Sequence, residues 1–317
     1  GLAGLTLGIG LRREGVPVVL WEAGQYPRHR VCGELISGRG QDVLASLGLL
    51  DRLMAGGARW GQTIAFFTSR AAVPVRPLPS PALLVSRFLL DDVLAREVVQ
   101  AGGDLRAGQR WAGNFAAPGL VRASGRRVHS PGDGPRWLGL KAHARGVETS
   151  ADQEMHLLPD AYVGVGCLAD GTVNVCGLFR FSEPPRDLAR NWREWLRGPA
   201  DSRLRARLGS AEFVEGSFCS VAGFSLKPER ASATVECRIG DALTMTPPIT
   251  GNGMSMAFES AALAVAPLAA YSRGELPWDE ARAAVGRRCD AEFSKRLRSA
   301  AWLQAALMNP GARALLV

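Results

Sequence analysis

Lysine is nearly missing from this chain. Of its 38 basic residues only Lys141, Lys227 and Lys295 are lysines, and the other 35 are arginines. Arginine and alanine richness of this kind often reflects a GC-rich genome. The basic residues form no long cluster interleaved with aromatics, so the net charge of +8 does not point to nucleic acid. An anionic cofactor explains part of the excess more economically. Also lacking are a CxxC pair and any histidine at zinc-ligand spacing, so no metal is expected. The six scattered cysteines (Cys32, Cys167, Cys176, Cys219, Cys237 and Cys289) read as reduced, mostly buried thiols, and the expected compartment is the cytoplasm. No apolar run approaches the roughly 18 residues of a membrane span. The longest, 1–11 and 261–270, are glycine-rich or interrupted at Pro267, and no transmembrane segment is expected. No charged n-region with a cleavage site suggests secretion. With 47% apolar and 21% charged residues, disordered, collagen-like and disulfide-scaffold classes are excluded. A chain of 317 residues makes one large or two interleaved domains with a substantial core.

What is present begins with a glycine-rich helix start, Gly1-Leu2-Ala3-Gly4. Leu2, Leu5, Leu7 and Leu11 give a packed face, and Gly15 sits where a C-terminal cap belongs. Residues 16–22 then read as a buried parallel strand ending at Glu22. The order of helix start, helix, strand and acid, with 18 residues from Gly4 to Glu22, matches the later part of a dinucleotide-binding βαβ unit. There the glycines let backbone approach a pyrophosphate at a helix N-terminus, and the acid accepts hydrogen bonds from the adenosine ribose. Gly1 and Gly4 stand as the second and third glycines of G-x-G-x-x-G. The preceding strand and first glycine are lacking, so further residues are expected before Gly1.

Three later segments carry a family resemblance. Residues 26–34, Y-P-R-H-R-V-C-G-E, resemble the P-R-x-K/R-x-C-G-E stretch of FAD-dependent oxidoreductases. That group spans the geranylgeranyl reductases, the flavin-dependent halogenases and the p-hydroxybenzoate hydroxylase-like monooxygenases. Residues 85–94, V-S-R-F-L-L-D-D-V-L, are similar to its S-R-x-x-L-D-x-x-L helix start. Residues 239–254, I-G-D-A-L-T-M-T-P-P-I-T-G-N-G-M, resemble its G-D-A…P-x-x-G-x-G-M motif, followed by an alanine-rich helix through Tyr271. The chemistry of this last segment stands by itself. Residues 234–239 read as a strand, and Asp241 at its carboxyl end suits hydrogen bonds from ribityl hydroxyls. Pro247 and Pro248 stiffen the loop. Gly251-Asn252-Gly253 opens a helix whose free amides and positive dipole end suit a flavin that becomes anionic on reduction.

The resemblance implies an α/β fold with a Rossmann-like FAD-binding domain of glutathione reductase type. An interleaved substrate domain on an antiparallel sheet and a C-terminal helical segment complete it. The expected boundaries are 1–60, 80–130 and 228–275 for the FAD domain, 61–79 and 131–227 for the substrate domain, and 276–317 for the helical segment. The implied cofactor set is Gly1, Leu2, Ala3, Gly4, Glu22, Ala23, Arg30, Cys32, Gly33, Arg87, Asp241, Pro248, Gly251, Asn252, Gly253 and Met254. Arg30 and Arg87 suit phosphate oxygens or the flavin, or else are solvated helix-end charges. Cys32 lies beside the isoalloxazine or is a plain buried thiol. No catalytic residue is assigned.

The chain also departs from the pattern. Where many relatives carry Ala-Asp-Gly, residues 122–130 place Ser124 at the aspartate position. The stretch 111–120 is short for the strands expected there, which leaves room for absent residues within 111–135. The halogenase W-x-W-x-I-P motif is missing. Trp192 and Trp195 instead join Leu188 and Leu196 in a helical stripe that reads as core. No second glycine-rich βαβ unit appears, so NAD(P)H binds transiently or a separate reductase supplies electrons.

Residues 62–68 and 72–77 read as short strands. Residues 162–168 and 172–179 read as a hairpin around Ala169-Asp170-Gly171. Gly164, Gly166, Cys167, Val175 and Cys176 on it suit either sheet packing or an apolar substrate. His143 and His156 receive no role, and from Trp278 a basic amphipathic helical tail packs across the FAD domain or lies on a membrane surface. The expected function is an FAD-dependent monooxygenase acting through a flavin C4a-hydroperoxide on a small hydrophobic intermediate, free or carrier-bound. A prenyl-type alkene reductase, a halogenase-like enzyme and a non-catalytic relative stay open. The oligomeric state is not assigned.

Overall fold

The computed structural model describes residues 1–68, 71–126, 136–181, 188–309 and 311. Residues 127–130 of the segment around Ser124, and the Leu188 side chain, lie outside that description.

Helix α1 (Leu2–Arg13) buries Leu2, Leu5, Leu7 and Leu11, and Gly15 with φ of 75° ends the segment as its position suggests. β1 (Val19–Glu22) follows, then β2 (Leu35–Ile36), α2 (Arg39–Ser46) and α3 (Leu50–Ala55). β3 (Arg59–Phe67) and β4 (Arg76–Leu84) form an antiparallel pair longer than the sequence pattern suggests. α4 (Arg87–Gln100) starts at Ser86, whose Oγ accepts the Leu89 amide at 3.2 Å. That serine cap fixes the helix start. β5 (Asp104–Ala107) and β6 (Val121–Arg122) precede the main sheet strands β7 (Arg136–Arg145), β8 (Gln153–Leu158), β9 (Ala161–Cys167) and β10 (Val173–Phe181). α5 (Leu188–Arg197), α6 (Arg203–Leu208), β11 (Glu212–Phe213) and β12 (Cys219–Ala222) complete that half. β13 (Cys237–Arg238), α7 (Gly253–Ser272) and α8 (Trp278–Met308) close the described chain.

Nine strands make the main sheet in the order β11-β7-β10-β9-β8-β3-β4-β2, with β12 also paired to β7. It is antiparallel except for β3 against β8. β9 and β10 are the expected hairpin, in register from Val173 against Cys167 to Phe179 against Ala161. The period-two alternation gives the sheet two different faces. On one, Leu140, Ala142, Val163, Val165 and Val175 pack against Trp192 and Leu196 of α5 and Leu204 and Leu208 of α6. The tryptophan stripe is therefore core. The other face carries Gln153, Met155, Tyr162, Gly164, Cys176 and Leu178, which line a cavity.

Across that cavity lies the second layer, built on α1, α4 and α7 with the larger apolar core. Here two sequence expectations are corrected. Residues 16–22 yield a strand of only four residues, and it is not buried: Val19 is 49% and Trp21 37% exposed. Among the described residues β1 pairs only with β5, in parallel, and β13 only with β6, so this half shows two separate two-stranded units rather than one sheet. Residues 234–239 yield just Cys237–Arg238 as strand, because residues 231–233 take a 3₁₀ turn first. Leu35–Ile36 and residues 80–84, placed by sequence with the cofactor half, belong to the nine-stranded sheet.

α7 is long and apolar enough to cross a membrane by length and composition, but 67% of that stretch is buried inside the molecule. It is the central helix of the second layer. α8 packs on α7 and then reaches the sheet, where Leu307 and Met308 join Trp137, Tyr162, Leu178 and Phe224.

The helices of this layer meet closely at Gly40. A Cβ there would lie 2.7 Å from Ser255 Cα and 2.8 Å from Ser255 Cβ, contacts that backbone cannot relieve cheaply. Gly40→Ala is expected to lower unfolding free energy by about 1–3 kcal/mol, read as an earlier urea midpoint with an unchanged slope.

Candidate functional site

The first turn of α1 opens into the cavity. The first intrahelical bond is Leu5 N–H to Gly1 O, so the preceding amides have no helical acceptor. Gly1 has open space where a Cβ would stand, whereas a Cβ on Gly4 would lie 3.2 Å from Ala123. Glycine at 4 thus lets the helix approach the residues after β6. At the end of β1, Glu22 accepts from Gly24 N–H and Tyr26 Oη–H, each at 3.0 Å, and meets Arg28 at 2.6 Å. Burial alone would raise its pKa, but Arg28 and the Gly24 amide outweigh it. The carboxyl is held well below the usual carboxylate range.

The Gly-Asp-Ala turn is anchored to both helices. Gly240 has φ of 59°, and a Cβ on it would lie 2.8 Å from Ala3 Cβ of α1. Its N–H donates to Ser260 Oγ of α7 at 2.9 Å. Two demands, a left-handed backbone and a close neighbour, therefore coincide at one glycine. Asp241 is thrust into the cavity, and no described residue hydrogen-bonds its carboxylate. Burial raises its pKa, against Arg87 and Arg126.

Gly251, at φ 65°, turns the chain into α7. Asn252 supplies no side-chain cap and instead accepts the Ser37 hydroxyl at 3.3 Å. The amides of Gly253, Met254 and Ser255 precede the first helical bond, Met256 N–H to Asn252 O, and the helix end presents its positive pole to the cavity.

Two guanidiniums face the same space with no carboxylate ion pair among the described residues, Arg30 and Arg126. Burial lowers the pKa of each, and each lies in the field of other arginines. Carboxylates lie in reach of each field, Asp241 for Arg126 and Glu22 for Arg30, but neither guanidinium pairs directly with one among the described residues. Arg87 differs, because it is committed to Asp91 through two bonds of 2.7 and 2.8 Å. It is therefore an ion-paired side chain on the wall rather than a free cation.

All sixteen residues singled out in the sequence line one cavity of about 1380 Å³. That exceeds the roughly 300–1,000 Å³ of drug-sized pockets. Ala23, Cys32, Gly33 and Pro248 contribute wall between the charged end and the sheet. Leu5, Leu11, Val18, Leu20, Val121 and Tyr271 add an apolar stretch to its lining. A carboxylate and two guanidiniums without direct partners among the described residues, with two uncapped helix starts, fit a diphosphate-bearing dinucleotide.

Sequence reasoning missed Arg126, Tyr26 and the sheet residue Gln153. Arg126 follows Ser124-Gly125 in the segment that departs from the family pattern, and only that glycine turn hinted at a ligand loop.

It also missed a buried ion cluster behind the Cys32 strip. Glu34, with φ of 56°, is 1% exposed, and Lys141 is fully buried. Lys141 Nζ lies 3.3 Å from Glu34 Oε1 and 3.0 Å from His29 Nδ1, while His143 Nε2 lies 2.7 Å from Glu34 Oε2. Glu34 Oε1 also accepts the Arg87 amide at 2.9 Å. Burial would raise the Glu34 pKa, but His143, Lys141 and that amide hold it down. Burial, then Lys141 and His143, push His29 down to about 4, so it accepts from the ammonium. The donor atoms of His29, Glu34 and His143 lie within 4.8 Å of one another, a spacing that also suits a metal. The Lys141 ammonium already provides the positive charge there. Asn174 Nδ2 donates to Cys32 O at 2.9 Å, so the strip is tied to the sheet at two points.

The fold has well-matched counterparts among solved structures. PqsL of Pseudomonas aeruginosa, described as a probable FAD-dependent monooxygenase, superposes with a TM-score of 0.73 at 16% identity, over 99% of this chain and 96% of that one. The flavin-dependent brominase Bmp2 gives 0.68 at 20% identity, covering 100% and 90%. The myxobacterial chondrochloren halogenase CndH, an FAD-dependent halogenase, gives 0.74 at 19% identity, covering 94% and 79%. No protein-family model and no curated protein matches the chain. At these identities the likeness is one of fold, and it is the fold of the group the sequence motifs resemble.

Lys141→Met removes the ammonium from a buried carboxylate and is expected to cost about 3–5 kcal/mol at neutral pH. The Glu34 contribution is present above its unfolded pKa of about 4.3 and lost as pH falls through the lower folded value. Urea unfolding should therefore show wild type and variant converging in acid. An undiminished gap at low pH would contradict the pairing.

Proposed function

We propose that this chain is an FAD-dependent oxidoreductase that oxygenates a small, uncharged, largely apolar substrate using electrons from NAD(P)H. The observation that carries this is the division of the cavity into two chemically opposite ends. Glu22, Arg30, Arg87, Arg126 and Asp241 all stand at the end formed by α1, α4 and α7, whereas the sheet end is uncharged.

In this reading the first turn of α1, with Arg30 and Arg126, would hold the diphosphate of FAD. Glu22, oriented by Tyr26 and Arg28, would accept the adenosine ribose hydroxyls. Asp241 would accept from the ribityl chain, and the amides at the start of α7 would face the pyrimidine edge of the ring system. Bound FAD would supply two-electron redox chemistry and the activation of oxygen. The chain's own contribution is orientation and exclusion of water. Met155, Leu178, Val221 and Phe224 present an apolar wall, backed by Leu303, Leu307 and Met308 of α8. Cys32 stands in that wall as a neutral thiol, since burial pushes its pKa up. PqsL has been seen in complex with 2-aminobenzoylacetate, a small aromatic ligand on the same fold that, unlike the substrate proposed here, carries a carboxylate.

Titration of the purified protein with FAD should give bound flavin bands, and NAD(P)H should bleach them. Arg126→Met and Arg30→Met should each weaken FAD binding by about tenfold or more, the worth of one charged hydrogen bond. Protein that stays colourless after FAD addition sinks the reading. Turnover without oxygen would favour the alkene reductase alternative.

A further inference from the structure

We propose that the outer side of α8 docks this protein onto an anionic lipid bilayer, through a row of cations that ends at Trp302. The proposal goes beyond the flavoenzyme reading and does not depend on it.

The side chains of α8 that stand out from the molecule share one side of the helix. Arg288, Ala291, Lys295, Arg298 and Trp302 are all exposed and follow one another three or four positions apart, the spacing of a single stripe. Arg287 is exposed beside its first member. The opposite side carries Cys289, Phe293, Leu297, Ala300, Gln304 and Leu307, which are buried. From Arg287 to Trp302 the stripe runs about 22 Å.

The stripe is basic because the acids of this part of α8 lie elsewhere. Residues 287–309 hold five cations and two carboxylates, Asp290 and Glu292. Asp290 accepts the amides of Ala231 and Ser232, and Glu292 meets Arg39 and Arg296. The ion pairs of α8 run through Arg282 and Arg296, so among the described residues Arg287, Lys295 and Arg298 have no carboxylate partner. Arg288 makes one bond, to Leu263 O at 3.4 Å. Trp302 is 66% exposed, more than any other aromatic side chain among the described residues.

Like charges held in a row by a rigid helix repel one another until a surface of opposite charge faces them. An anionic bilayer supplies that surface without demanding exact geometry, and an indole beside the cations suits the headgroup layer. A protein partner would need an apolar centre to bury. This stripe instead has Ala291 and Ser299 between its cations, and its one aromatic stands at the end. On the inner side of the same turns, Leu303, Leu307 and Met308 pack against Tyr162 and Phe224 of the cavity wall. Docking through the stripe would set the apolar end of the cavity nearest the lipid.

Because the chain carries a net charge of +8, attraction to anionic vesicles alone would not locate the contact. The test therefore compares two double charge reversals. Lys295→Glu with Arg298→Glu alters the stripe, and Arg193→Glu with Arg203→Glu alters exposed arginines of α5 and α6, which pack on the other face of the sheet. Both are verified as folded by circular dichroism, and binding is read by co-sedimentation. Wild type should bind phosphatidylcholine vesicles containing about 30% phosphatidylglycerol at about 0.1 M salt, should ignore pure phosphatidylcholine, and should be released at about 0.5 M salt. The stripe variant should bind at least about thirtyfold more weakly, the worth of two cations at such a surface, whereas the α5/α6 variant should lose less than about fivefold. Brominated lipid should quench part of the tryptophan emission of wild type, and that part should vanish in Trp302→Phe. Wild type that ignores the anionic vesicles overturns the proposal. So do equal losses in the two double variants, or quenching that survives in Trp302→Phe. Polyglutamate that binds the stripe while vesicles do not would overturn it in favour of an acidic protein partner.

Discussion

The placement of the candidate site depends on a buried charge balance. Glu34 carries a negative charge into a region with almost no access to water, in a backbone conformation that disfavours side chains. It is tolerable there because Lys141 and His143 of the sheet and the first amide of α4 surround it. That arrangement joins the nine-stranded sheet to the helical layer at one point, beside the strip that carries Arg30, Cys32 and Gly33. Removing any one charge leaves the others uncompensated in a low-dielectric interior, so the cluster behaves as a unit. The cavity walls are positioned on either side of it.

The two ends of the cavity divide the work of recognition. One end offers unpaired cations, an unpaired carboxylate and two helix starts, all suited to a phosphate-bearing, hydroxyl-rich molecule. The other offers thioether, aliphatic and aromatic surface with its hydroxyls internally bonded. Such a division admits two ligands of opposite polarity side by side. The solved structures of the same fold at 15–20% identity include named halogenases and a probable monooxygenase. One architecture thus serves more than one named activity among those proteins.

Much of this was legible from local chemistry. Gly240-Asp241-Ala242 and Gly251-Asn252-Gly253 announce a strand-end acid and an uncapped helix because those residue types have few other reasons to stand together. Ser86 announces α4 through its cap, and the turn at Asp170-Gly171 announces the β9–β10 hairpin. What was not legible depends on distant pairing. Glu34 is separated from Lys141 and His143 by more than a hundred residues, and each looks like an ordinary polar residue until β7 brings the pair onto it. Arg126 counts as unpaired only once its surroundings are known. The exposure of β1 was missed for a related reason: its apolar run reads as buried, yet among the described residues β5 is its only strand partner.

Lys141 also bears on how freely this sequence can drift. Nearly every cation in the chain is arginine, and at the surface the two are readily exchanged. At the centre of the cluster they are not, since a compact ammonium can sit between an imidazole nitrogen and a carboxylate, whereas a planar five-donor guanidinium needs more room and more acceptors. Compositional pressure toward arginine therefore meets a steric barrier at residue 141.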